Sequence, residues 1–230
     1  MLTGLVLLYV GAALLVNGIW LIGQARTSDR SAATQVPEVT GERLRDEMLV
    51  PAGSGGQTVA QERRPTPLAL SKPESHFSFL QGREIAVINI FTGGVGVIAA
   101  VVLAVLGEIN NNRSDVANAA FILLFAFTYL WIAVNQFLNA GDHAFGWFCF
   151  FIAVTAVPTG IYTLHTAHGN PASIWLGVNW FAWAILWFLF FLMLTLERPI
   201  ARPVGWATIT VAVGTAWAFG YAILQGAVAL

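Results

Sequence analysis

The chain has 230 residues, of which 57% are hydrophobic and only 10% charged, with a mean hydropathy of +0.70. Soluble globular domains carry about 25% charged residues, so this composition excludes one and points to an integral membrane protein. The net charge of −1 leaves no basic excess for nucleic acid.

Six apolar runs are long enough to cross about 30 Å of hydrocarbon as helix, at residues 4–23, 85–106, 116–138, 144–164, 172–196 and 204–228. The first lies within residues 1–23 and has no positively charged leader or small-residue cleavage site, so a retained helix is expected over a secretory signal. Val10, Leu14 and Asn17 share one of its faces.

Residues 24–84 hold 16 of the 23 charged residues, together with PAGSGGQ and QERRPTPLALSKPE, and read as a largely flexible loop. Within it, GERLRDEML over 41–49 has the pattern of a short helix with Leu44, Met48 and Leu49 as an apolar strip.

The second span carries TGGVGVIAA and the sixth GTAWAFG, small residues that let helix backbones approach. Phe127, Trp131 and Asn135 recur every four residues in the third span and form one stripe. The fourth contains Pro158, which removes a backbone donor. It also contains Cys149, the single cysteine, which excludes an intrachain disulfide.

Residues 179–187 of the fifth span read NWFAWAILW. Tryptophan usually anchors a span at the lipid–water boundary, but this cluster lies too deep for that. Trp180, Trp183 and Trp187 fall within about 60° of arc on a helix, a second aromatic stripe.

Ten of the eleven Lys and Arg residues lie in 24–84 or at Arg198 and Arg202, and only Arg113 lies elsewhere. With six spans these two segments share a side. The positive-inside rule makes that side cytoplasmic and places both termini outside. The remaining connections are short, and consecutive spans are expected as antiparallel neighbours in three hairpins: first with second, third with fourth, fifth with sixth.

The spans offer no paired carboxylates, no His/Cys ligand set and no nucleophile–base arrangement, so neither an enzyme nor a cofactor or metal site is expected. Ionisable residues, the marks of proton relays and ion-coupled pumps, are missing from the span centres. Neutral polar residues remain, among them Asn17, Asn89, Thr128 and Asn135. Aromatic stripes and inner-end asparagines on co-directional helices can pack a core or enclose a narrow, mostly apolar passage. Such a passage refuses ions and admits a small planar neutral solute.

Several ordered motifs carry a resemblance: GLVLLYVGAALLVNGIW at 4–20, INIFTGGVG at 88–96, FTYLWIAVN at 127–135, AVTAVP at 153–158, WFAWAILW at 180–187, GW at 205–206 and TAW at 215–217. In these the chain resembles the acid-activated urea channel and amide transporter (AmiS/UreI) family. The resemblance implies an all-α membrane protein, six helices as three hairpins in a twisted bundle around a channel in each protomer. It further implies a homohexamer in the bacterial inner membrane, passing urea or short aliphatic amides to a cytoplasmic urease or amidase, with lipids around it.

The family's constriction maps onto Val10, Leu14, Phe127, Trp131, Trp180, Trp183 and Trp187, with Asn17 matching an asparagine of the first span. Trp131 then stands where the urea channel has a tyrosine, and Val211 where it has a glutamate. His165 and His168, between the fourth and fifth spans, are the candidate pH sensors, because imidazole changes charge near physiological pH. The expected channel is nevertheless not strongly acid-gated. Two alternatives stay open: a proton-coupled transporter of the same solutes, and a membrane scaffold or sensor acting through 24–84.

Overall fold

A computed structural model describes residues 1–34, 80–138 and 140–228. The helix expected over 41–49 lies outside them. By its contacts the chain forms two units, Met1–Thr27 with Ser78–Leu230, and Ser28–Phe77. Of the second, residues 28–34 are described, the last turns of the first helix.

Among the described residues the first unit is built of helices. Its helices are α1 (Leu2–Thr34), α2 (Gly82–Ile109), α3 (Arg113–Leu138), α4 (His143–His165), α5 (Pro171–Leu194) and α6 (Ala201–Leu224). All six are long and apolar enough to cross a membrane. The shortest, α4 with 23 residues, is about 34 Å long at 1.5 Å per residue, more than the hydrocarbon thickness of about 30 Å.

Local chemistry sets the ends of these helices. α1 continues past Gly23 to Thr34 because residues 24–34 contain neither Gly nor Pro to stop it. At the start of α2 the Gln81 N–H donates to Glu84 Oε2 at 2.8 Å, half of a capping box. Asn112 Oδ1 accepts from Ser114 N at 3.0 Å before α3. Asn170 Oδ1 accepts from Ala172 N and Ser173 N, with Pro171 in the first turn of α5. α6 ends at Leu224 rather than at 228 because Gly226 turns to a φ of 71°.

The closest packing is shifted by one helix from the pairing that loop order suggested. α2 lies along α3 and α4 along α5, while α1 and α6 meet through glycines. A Cβ on Gly18 would come within 2.8 Å of the Gly205 carbonyl oxygen, and one on Gly205 within 2.9 Å of the Gly18 carbonyl oxygen. Gly4 and Gly220 repeat the approach at 3.1 Å in each direction. In lipid, where no hydrophobic force brings helices together, such close backbone contact supplies the attraction. Gly93 and Gly96 of TGGVGVIAA do the same for α2 against Leu130 and Ala126 of α3.

Polar ties join α1 to α2. Asn17 Nδ2 donates to Asn89 Oδ1 at 3.0 Å, and Asn89 Nδ2 returns the bond to Asn17 Oδ1 at 2.8 Å and also reaches Ile85 O at 2.7 Å. Thr92 Oγ1 donates to Tyr9 O at 3.3 Å. Both asparagines are buried.

α6 is not uniform. Its middle, Ala212–Trp217, is a π-helix, and the Ala218 N–H reaches back five residues to Val213 O. Trp147 and Trp206 near the starts of α4 and α6, and Trp217, Tyr221 and Tyr162 near the ends of α6 and α4, are exposed on the outer surface. Exposed Trp and Tyr of this kind commonly sit at the lipid–water boundary of a span.

Candidate functional site

The interior of the bundle holds a cavity of about 30 Å³, room for one or two water-sized molecules. Leu14 and Asn17 of α1, Phe125, Thr128, Tyr129 and Ile132 of α3, Phe145 and Cys149 of α4, and Trp183, Leu186, Trp187 and Phe190 of α5 line it. Its surface is almost wholly apolar. No Asp, Glu, Lys, Arg or His faces it.

The α5 stripe is where its spacing puts it. Trp180, Trp183 and Trp187 are all buried. Trp183 and Trp187 line the cavity, and Trp180 packs in the surrounding core. Phe125 holds the three together: its ring meets Trp180, Trp183 and Trp187 edge-on at 5.7, 5.0 and 4.5 Å between centroids. Trp180 and Trp183 meet edge-on at 5.2 Å. Each such pair contributes about 0.5–1.5 kcal/mol beyond its burial.

Trp183 is also tied by its polar atom. Its indole Nε1–H donates to Thr215 Oγ1 at 2.8 Å, and Thr215 in turn donates to Val211 O at 2.6 Å. One turn earlier on α5, Asn179 Nδ2 donates to Thr215 O at 3.3 Å. These partners lie on the π-helical stretch of α6 and its border. Val211, singled out in the sequence, serves through its carbonyl.

On α1, Leu14 and Asn17 face the cavity, and Val10 is buried in the core beside it. Asn17 therefore does two things at once, holding α2 through Asn89 and presenting an amide to the cavity.

The α3 stripe needs a correction. Phe127 is 47% exposed and Trp131 38% exposed, and neither lines the cavity. The inward face of α3 carries Phe125, Thr128, Tyr129 and Ile132, about half a turn away. The tyrosine at the cavity is Tyr129, and Trp131 stands outside the lining. Trp131 instead stacks on Phe145 and Phe148 of α4 at 5.8 and 6.1 Å, bracing the cavity-lining Phe145 from outside. Asn135 organises the α3–α4 turn, donating to Asp142 Oδ1 at 2.8 Å and accepting from Ala140 N at 2.8 Å.

Tyr129 is 3% exposed, and no described residue hydrogen-bonds its hydroxyl. The Thr128 hydroxyl is committed to Phe125 O at 2.7 Å. The sequence signal that separates the two faces of α3 is this pair: the face of Phe125 carries the hydroxyls of Thr128 and Tyr129, whereas Phe127 and Trp131 share their face with Val134.

His165 and His168 are exposed, and among the described residues neither has a hydrogen-bond or ion-pair partner. An exposed ion pair joins His143 Nε2 to Glu197 Oε1 at 3.1 Å, at the opposite end of α4.

Residues 76–227 match the sequence profile of the AmiS/UreI family transporters. The chain is 34% identical over 142 residues to a Mycolicibacterium smegmatis protein described as a transporter of amidate substrates. That alignment covers 60% of this chain and 63% of the relative, under two thirds of its length. To the acid-activated urea channel of Helicobacter pylori the chain is 25% identical over 157 residues, 59% of this chain and 80% of that one. The crystal structure of the H. pylori urea channel has the same fold, with a TM-score of 0.67, 22% identity and 100% of both chains covered.

Proposed function

The chain belongs to the AmiS/UreI family of transporters, and from that premise we propose that it is a passive channel for urea and short aliphatic amides, supplying a cytoplasmic urease or amidase. One observation carries the reading: the cavity between α1, α3, α4 and α5 is walled by Phe125, Trp183 and Trp187 and bears no charged side chain. An ion entering it loses hydration worth several kcal/mol and receives nothing in return. A planar neutral solute fits between flat ring walls, and its N–H groups meet indole and phenyl faces by weak N–H to π contacts. Proton coupling needs a titrating carboxylate or histidine along the path, and the cavity lining supplies none.

The protein lies in the bacterial inner membrane as a homohexamer, with both termini outside and 24–84 in the cytoplasm, the orientation its Lys and Arg distribution favours. The passage is not strongly acid-gated on this reading: among the described residues His165 and His168 have no hydrogen-bond or ion-pair partner to carry a charge change inward.

Stopped-flow light scattering on proteoliposomes tests the proposal, with urea, acetamide, formamide and thiourea at two external pH values and no imposed gradient. The expected result is solute entry above that of empty liposomes and equal at both pH values. Entry matching empty liposomes for every solute overturns it.

A further inference from the structure

Thr215 occupies an unusual place. Its hydroxyl proton is committed to Val211 O at 2.6 Å, which leaves the oxygen as an acceptor only. The Trp183 N–H fills that acceptor at 2.8 Å. The backbone carbonyl of the same residue accepts from Asn179 Nδ2 at 3.3 Å. Two α5 side chains one turn apart are therefore held by two atoms of one residue, which fixes both the height and the rotation of α5 against α6.

The π-helix makes this geometry. Its five-residue bond from Ala218 N–H to Val213 O widens the turn at Thr215, and side chains beyond it are rotated relative to a plain α-helix. On its other side the Trp183 ring is confined edge-on by Phe125 at 5.0 Å and by Trp180 at 5.2 Å. The indole that faces the cavity is thus clamped at its N–H end by α6 and along its ring by α3 and α5.

We propose that Thr215 is a positioning residue that fixes the Trp183 indole in the cavity wall and thereby sets which solutes the passage favours. The proposal rests on the channel reading above and adds to it a residue on a helix that does not itself line the cavity. Thr215→Val keeps the shape and removes the acceptor, Thr215→Ser keeps the acceptor, and Trp183→Phe removes the donor.

The experiment is the ratio of thiourea to urea permeability in proteoliposomes, measured for the full chain and these variants, with protein yield and near-ultraviolet circular dichroism beside it. Thr215→Val should shift the ratio about threefold or more, Thr215→Ser should restore the wild-type ratio, and Thr215→Val placed on Trp183→Phe should add nothing further. A merely structural role lowers yield and scales every permeability together. An unchanged ratio in Thr215→Val, or the same shift with and without the Trp183 donor, overturns the clamp alone. Wild-type entry at the level of empty liposomes overturns the clamp and the channel reading together.

Discussion

Two aromatic stripes with the same spacing meet opposite fates in this bundle. Trp183 and Trp187 of α5 turn inward to the cavity, whereas Phe127 and Trp131 of α3 turn outward. Spacing does not separate them. What separates them is the company of polar atoms: Thr215 of α6 receives both the Trp183 N–H and the Asn179 amide of α5, whereas the α3 face bearing Phe127 and Trp131 runs to Val134 and to Asn135, whose amide is spent on the α3–α4 turn. In a membrane the outside of a helix is as apolar as its inside, so the interior is marked by small polar groups that need partners.

The largest expected effect tests the hub of the inner stripe. Phe125→Ala removes a ring in contact with three indoles and should cost about 3–5 kcal/mol, read as a loss of thermal stability in detergent, with a changed ranking of solutes. A loss no greater than that of Phe127→Ala would erase the distinction between the two faces. Next, Asn89→Leu leaves Asn17 without its reciprocal partner and should cost about 1–2 kcal/mol. Replacing both asparagines by Leu should recover part of that, since removing both partners is cheaper than orphaning one.

Trp131→Leu gives up two stacked contacts on α4 and should cost about 1 kcal/mol, with solute ranking unchanged because the ring stands outside the wall. A reordered ranking would place Trp131 in the passage after all. The smallest effect belongs to Glu197→Gln: its pairing with His143 is exposed on both sides and contributes under about 1 kcal/mol, so the melting temperature should move little at any salt concentration.

Six membrane-capable helices were legible from hydropathy because each run is long and uncharged. The α5 wall was legible because three tryptophans at helical spacing have few other uses at that depth. The α3 face was not, because 125/129 and 127/131 are both aromatic pairs four residues apart, and periodicity alone treats them alike. The hydroxyls of Thr128 and Tyr129 were the available signal. Asn89 was visible as a buried-depth polar residue, but its pairing with Asn17 follows from how α1 and α2 stand side by side. The π-helical turn was out of reach, since AVGTAW at 212–217 reads as ordinary helix, and nothing local in it announces the close approach of α1, where a Cβ on Gly11 would lie 2.9 Å from the Trp217 nitrogen.

The reciprocal bond between Asn17 and Asn89 has a kinetic meaning as well as a structural one. The wall already answers most of its own polar atoms: the two amides each other, the Trp183 N–H by Thr215, the Thr128 hydroxyl by Phe125 O. On the proposed channel reading, a solute arriving there meets the Tyr129 hydroxyl and what the Asn17 amide has left to offer, so its dwell time is short. Turnover of this kind rises in proportion to concentration long after a tight binder would have reached its plateau.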